Sequence, residues 1–438
     1  LVAMQTAAGV ARRIRMQGDE LAARCVVVAH DARFSSNAFA ADIVDALAGA
    51  GICVHVIDGP APTPLAVFAI RLVSAAAALV VTASHNPRQD NGIKVYWADG
   101  AQIAPPLDEQ IAAQIETVDA SGQILPRPTP TRARVQHLGA ANADSWLVDS
   151  YIHSASDLVE GPPTDPLPIA ATSLHGVGAT LLTRVLTAYG HGPLHHVPTQ
   201  RDPDPRFPSV EFPNPEEDGA LDLLIDLAES RGAALAIAND PDADRLALAV
   251  PGADGSWRTL TGDETGALLA WRQLALTEGI PDRLLVTTFV SSRLLGSMAA
   301  AADAHYEETA TGFKWLCRPA MENPSWRQVM AYEEALGYAI GPRCRDKDGI
   351  TAALVAADTI CALAAERRTV WDVLDELART HGAHVTHNGS IRTERAAPSS
   401  GSVGSLESLL RTPPESLGGF AVGRVDRPAP MTLKLLLE

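Results

Sequence analysis

Two patterns alternate along this chain: short apolar runs rich in β-branched residues, and longer stretches whose apolar positions recur every three or four residues. The runs read as buried strands and the longer stretches as helices laid on them. Residues 2–16 open in the helical pattern. Residues 24–30 then read as a strand, followed by a helix to about position 50, a strand over 52–57, a proline-rich turn over 60–64 and a helix over 65–72. Residues 78–81 and 93–97 are two further strands. After a proline- and threonine-rich linker stretch at 126–130, a helix is predicted over 143–158, and Gly161-Pro162-Pro163 closes that unit. Strands at 168–171, 234–238 and 284–288, and helices from 291, over 351–367 and over 370–378, repeat the alternation. Strand and helix in turn predict an α/β layer fold.

At 438 residues the chain exceeds one ordinary core, and its apolar share of 46% easily supplies several. The net charge of −17 comes without any lysine- or arginine-rich block, which excludes a nucleic-acid or anionic-membrane surface. Any phosphate site must therefore be a local cationic pocket in an acidic body. The five cysteines (Cys25, Cys53, Cys317, Cys344, Cys361) show no C-x-x-C spacing and are odd in number. They read as buried thiols of a reducing compartment, not a disulfide framework or a zinc site. No run reaches the length of a membrane span and no signal-peptide core is visible, so a cytoplasmic location is expected. Leu1 is not a start methionine, so the natural chain is expected to begin upstream.

The chemistry concentrates in loops. Between the strands at 78–81 and 93–97 stand Thr82-Ala83-Ser84-His85-Asn86-Pro87 and Asp90-Asn91-Gly92-Ile93-Lys94. Asn-Pro and Asn-Gly are strong turn signals, so Ser84 and His85 sit on a loop at a strand's carboxyl end, where α/β sheets bind ligands. Adjacent side chains point apart in a strand and can converge only on a loop. A hydroxyl beside an imidazole, with Lys94 nearby, suits a group that accepts and returns phosphate.

A second loop, Asn239-Asp240-Pro241-Asp242-Ala243-Asp244-Arg245, leaves the strand at 234–238. Carboxylates at alternate positions, spaced by small or rigid residues, can turn inward around one hard cation. An EF-hand begins the same way, but its sixth position would be Arg245 instead of glycine and its twelfth Pro251 instead of glutamate. The Gly176-Val177-Gly178 turn suggests a dinucleotide fold, yet Leu181 occupies the third glycine position and no acidic residue follows at the ribose position. Both readings fail. In the third unit Glu333 and Glu334 precede Ala335-Leu336-Gly337, and carboxylates there can accept hydrogen bonds from vicinal sugar hydroxyls.

These segments together resemble the α-D-phosphohexomutase superfamily (phosphomannomutase/phosphoglucomutase), in the branch that includes phosphopentomutase-type enzymes. The serine, metal and sugar motifs occur in the family's order over nearly the whole chain. The resemblance implies three similar mixed-sheet α/β domains (1–160, 161–258, 259–380) and a smaller C-terminal α+β domain (381–438) around a central cleft. It implies that Ser84 is carried as phosphoserine and supplies a metal ligand beside Asp240, Asp242 and Asp244. Mg²⁺ is the implied ion, Arg245 lies against the phosphate, and a sugar 1,6-bisphosphate serves as activator. Asp31-x-Arg33 resembles the segment behind the active serine, though it also fits a helix N-terminal cap. Lys314, after Gly312, and the pair Glu333 and Glu334 would contact the sugar. Of the family's terminal Arg-x-Ser-Gly-Thr-Glu-Pro phosphate grip only Arg427-Pro428 stands here, without Ser-Gly-Thr, so the loop is expected to be either degenerate or partly outside this sequence.

The expected activity is transfer of a phosphoryl group between the 1- and 6-positions of a glucose or mannose phosphate. His85 or Lys94 would handle the proton, Lys94 only if neighbouring cations depress its pKa. The partner is a small-molecule phosphosugar, and the protein a monomer or homodimer. Ala335, where the family commonly has serine, keeps a phosphopentomutase acting on ribose or deoxyribose phosphate as the alternative. A metal-dependent sugar phosphatase and a non-catalytic sugar-phosphate binder stand behind it.

Overall fold

In the computed structural model, residues 1–120, 135–141, 144–386, 410–417, 419–429 and 432–437 are described. The stretch at 126–130 lies outside them. The first sheet contains β1 (Val26–His30), β2 (Val54–Pro60), β3 (Ala77–Val81), β4 (Ile93–Trp97) and β5 (Val135–Ala140), in the order β4-β3-β1-β2-β5. The second contains β6 (Ile169–Thr172), β7 (Leu194–His196), β8 (Leu235–Ala238), β9 (Ala247–Pro251) and β10 (Trp257–Thr259), in the order β10-β9-β8-β6-β7. The third contains β11 (Arg283–Thr288), β12 (His305–Thr309), β13 (Arg327–Glu333) and β14 (Gly337–Ile340), in the order β12-β11-β13-β14.

One unit is repeated in all three. Its first strand lies between parallel partners (β1 between β2 and β3, β6 between β7 and β8, β11 between β12 and β13). Its third strand then turns back into an antiparallel fourth (β3 to β4, β8 to β9, β13 to β14). Such mixed sheets, packed with helices, make three α/β domains. Central strands β3 and β11 are buried at every residue, which is why they appear in the sequence as unbroken apolar runs. A small C-terminal sheet follows, with β15 (Ser416–Leu417), β16 (Phe420–Ala429) and β17 (Thr432–Leu437) in antiparallel order. It touches the third domain where Lys434 Nζ meets Glu308 Oε2 of β12 at 2.9 Å.

The helix Gly349–Ala365 threads the core between domains and is buried along most of its length. Asp348 caps it by accepting from the N–H groups of Ile350 and Thr351, and also accepts from Tyr151 OH at 2.7 Å. One side chain thus starts a helix and ties the first domain to the third. The helix expected over 143–158 is shorter, Trp146–Ser154, because Ser145 caps it and Ala155 ends it.

The cysteine expectation is corrected by the fold. Cys25 and Cys53 form a disulfide, whereas Cys317, Cys344 and Cys361 are free and buried. Sequence spacing could not show this, since the two lie 28 residues apart. They meet because each immediately precedes one of two adjacent parallel strands, with Val26 N donating to Cys53 O at 2.8 Å. No single helix among the described residues is long and apolar enough to cross a membrane. Thiol titration in denaturant is expected to find three thiols before reduction and five after it; five before reduction would remove the bridge.

Candidate active site

The serine, metal and sugar loops are the same connection in three repeated units: β3 to β4, β8 to β9 and β13 to β14. Each leaves the carboxyl end of an equivalent strand, and the three meet. Leu246 N donates to Leu336 O at 3.0 Å, and Arg245 bridges Gly337, so the metal and sugar loops share backbone bonds. Thr63 N donates to Asp242 O at 2.9 Å, tying the first domain to the metal loop. The packing is close enough to require glycine. A Cβ on Gly349 would stand 2.2 Å from Arg245 O, and one on Gly176 would stand 2.3 Å from Pro241 Cα.

Ser84 has a φ of 50°, a left-handed conformation that costs a non-glycine residue about 1–2 kcal/mol. Arg33 holds it there. Its buried guanidinium donates to the carbonyls of Ser84 (2.6 Å), Asn86, Pro87 (2.8 Å) and Asp90 (3.2 Å). Asp31 Oδ2 lies 3.3 Å from Arg33 Nε, and the ring of Phe207 covers the guanidinium at 5.1 Å. The Asp31-x-Arg33 segment therefore shapes the loop from behind. Ser84 Oγ in turn donates to Asp240 Oδ2 at 2.8 Å.

Asp240, Asp242 and Asp244 are all buried, with one ligand atom from each within 4.8 Å of the others. Burial, with Asp242 and Asp244 alongside, pushes Asp240 up well above the usual carboxylate range. Burial works the same way on Asp242, but Lys94 and the Thr63 hydroxyl outweigh it and hold that carboxyl low. Lys94 Nζ lies 2.7 Å from Asp242 Oδ2 and 2.6 Å from Asp244 Oδ2. The Oδ1 atoms of Asp242 and Asp244 are buried without a hydrogen-bond partner. Orphaned carboxylate oxygens beside a third carboxylate fit a hard divalent cation, whose charge would relieve their repulsion.

The lowered pKa that Lys94 would need to act as a base is not found here. Burial alone would lower its pKa, but the paired Asp242 and Asp244 raise it well above the ordinary value. His85 behaves oppositely: burial, helped by Arg245, lowers it to about 4, and its Nδ1 stands 3.4 Å from Ser84 Oγ. A neutral imidazole next to the hydroxyl can accept a proton at neutral pH. Arg245 Nη1 reaches the carbonyl of Ala335 on the sugar loop.

On that loop the two glutamates part company. Glu334 Oε2 is engaged by Thr288 Oγ1 (3.1 Å) and Ser291 Oγ (2.9 Å), so it orients the loop. Glu333 accepts from Gly312 N at 3.2 Å, and burial raises its pKa against the opposing pull of Lys347 and Arg245. Lys314, two residues past Gly312, stands 5.6 Å over the Trp315 ring. Arg427 is exposed on β16 of the C-terminal sheet.

Two residues escaped the sequence reading. Lys347 Nζ stands 3.4 Å from Asp244 and 3.2 Å from Asp346, beside Glu333. Asp346 is itself fixed by Tyr96 OH at 2.6 Å. Thr63, 179 residues from Asp242, donates to its carboxylate. Only the charged run Arg345-Asp346-Lys347-Asp348 signalled the first; nothing local signalled the second.

Family models described as phosphoglucomutase/phosphomannomutase alpha/beta/alpha domains I, II and III match residues 1–121, 149–253 and 261–381. The chain belongs to the phosphoglucomutase/phosphomannomutase family. It is thus a member of the α-D-phosphohexomutase superfamily, whose members are intramolecular phosphotransferases acting on small phosphosugars. It is 37% identical over 425 residues to a "Probable phosphomannomutase" of Haemophilus influenzae, covering 96% of this chain and 83% of the relative. It is 34% identical to the human "Phosphopentomutase", covering 88% of this chain and 66% of that one. The crystal structure of a "putative phosphomannomutase" from Thermus thermophilus superposes with a TM-score of 0.72 at 25% identity, covering 100% of this chain and 86% of the other.

Two outcomes follow for this candidate site. Folded His85 sits near 4 against about 6.5 unfolded, so the folded state binds fewer protons. Its contribution to stability is complete above pH 6.5 and is lost as pH falls toward 4. An imidazole NMR titration should show His85 neutral throughout pH 5–8; a midpoint near 6.5 would contradict the burial argument. Asp242→Asn removes one of three charges facing the cation, and calorimetry should show divalent-ion affinity weakened at least about tenfold; unchanged affinity would move the metal elsewhere.

Proposed function

We propose that this protein moves a phosphoryl group between the 1- and 6-positions of a glucose or mannose phosphate through phosphorylated Ser84 and a bisphosphorylated intermediate. The observation that carries the reading is the hydrogen bond from the Ser84 hydroxyl to Asp240, a hydroxyl beside three clustered carboxylates in a chain of the phosphomutase family. Asp240, Asp242 and Asp244 would hold Mg²⁺, joined by an oxygen of the phosphorylated serine. Bound there, Mg²⁺ neutralises charge on the phosphoryl group.

The chain's own residues divide the remaining work. In the first transfer the bond from phosphorus to Ser84 Oγ breaks and a bond from phosphorus to a sugar hydroxyl oxygen forms. His85 takes the hydroxyl proton and returns it to the departing Ser84 Oγ, which its Nδ1 faces at 3.4 Å. Lys94 and Lys347, both held charged by their carboxylate neighbours, stabilise the phosphate, and Arg245 adds a third cation. The bisphosphate turns over in the cleft, and its other phosphoryl group returns to Ser84. A sugar 1,6-bisphosphate therefore serves as activator by charging the serine. Glu333 grips the sugar hydroxyls, Lys314 adds a contact, and Arg427 of the C-terminal unit (381–438) meets the second phosphate. A cytoplasmic location goes with this role.

Hexose is placed ahead of pentose because the Haemophilus influenzae relative, at 37% identity over most of both chains, is named for phosphomannomutase. Glucose 1-phosphate, mannose 1-phosphate and ribose 1-phosphate, each assayed with catalytic bisphosphate and Mg²⁺, decide it. A clear preference for ribose 1-phosphate would transfer the assignment to the pentose reading. With the preferred sugar, Glu333→Ala should cost about tenfold to a hundredfold in kcat/KM, the worth of one charge-assisted hydrogen bond. Unaltered kinetics would take Glu333 out of the site.

A further inference from the structure

A cavity of about 510 Å³ opens on the side of the third domain away from the cleft. It lies at the amino ends of β11 and β13, where Arg283 and Arg327 begin those strands, and against the segment holding Arg345. The three functional loops leave the opposite, carboxyl ends. Its volume is that of an ordinary small-molecule site. Ile280, Met321 and Trp326 give it apolar walls, and Trp326 is already braced on one face by the stacked His305 ring at 4.3 Å.

The charges here are anomalous for a chain of net charge −17. Among the described residues no carboxylate pairs with Arg283, Arg327 or Arg345, nor with Arg71 and Arg318 close behind them. Arg283 is only 8% exposed; it donates to the carbonyls of Leu274 and Ala302, and its Nε is buried without a partner. Arg345 donates to Asp99 O at 2.7 Å, while Arg71 donates to Pro342 O, a reciprocal crossing of the boundary between the first and third domains. Both stems converge on Gly100. Burial first, then Arg71, lowers the pKa of Arg345, and the nearby Asp99 offsets this only in part. The acidic residue lining the cavity, Asp157, is taken by Arg343. Arg283 is thus a buried cation without counter-charge, which is costly, and an anion bound there between it, half-buried Arg345 and exposed Arg327 removes the cost.

We propose that this cavity binds a nucleoside phosphate, its phosphate on Arg283, Arg327 and Arg345 and its flat base against the part of Trp326 that lines the cavity. Guanidinium forks suit a phosphate, and an aromatic wall suits a base but not a bare sugar phosphate.

Calorimetric titration of the full chain with AMP, GMP, CMP and UMP tests it. At least one should bind with one-to-one stoichiometry and a Kd below about 1 mM. Arg345→Met should weaken that binding about tenfold or more. Arg327→Met should do the same, and because Arg327 is exposed its loss leaves the fold intact. Glu333→Gln, in the cleft, should leave it unchanged. Absence of binding by all four, equal binding in the arginine variants, or equal binding of the phosphate-free nucleosides would overturn the proposal.

Discussion

Three carboxylates buried within 4.8 Å of one another are the constraint on which this structure turns. Left alone, Asp240, Asp242 and Asp244 could not all stay ionised in a site so far from water. The protein answers with cations from other domains: Lys94 from the first, Lys347 from the third. Neutralising the cluster therefore assembles the molecule. The charge-bearing loops cannot drift apart without stranding a charge, so the same pairs that balance the site also hold the cleft in register.

The repeated unit explains how such a site can be built. In each domain the third strand runs to its carboxyl end and turns back as an antiparallel fourth, and the turn carries the chemistry. Serine, cation ligands and glutamates are thus three versions of one connection. Secondary contacts stiffen them: Arg33 gathers the serine loop's carbonyls, Tyr96 and Tyr151 fix Asp346 and Asp348 on either side of Lys347, and Asp348 starts the buried helix behind it.

The elements of the fold were legible because buried strands and amphipathic helices write their periods directly into the chain. The serine and aspartate loops were legible for a related reason: each carries its chemistry within a few consecutive residues. What stayed hidden depends on tertiary approach. Thr63 has no local signature, Lys347 stands in a charged run with nothing local to set it apart, and Cys25 and Cys53 meet only because β1 and β2 are neighbours. The charge state of Lys94 is not legible locally, because its carboxylate partners sit 148 and 150 residues away.

The central claim is that Ser84 carries the phosphoryl group between sugars. Protein incubated with a bisphosphate labelled in its phosphoryl groups, then digested and mass-mapped, tests it most directly. The expected label is one phosphate, about 80 Da, on the peptide holding Ser84, discharged to bisphosphate when unlabelled hexose monophosphate is added. Label on another residue, or release of the Ser84 label only as inorganic phosphate, would contradict it.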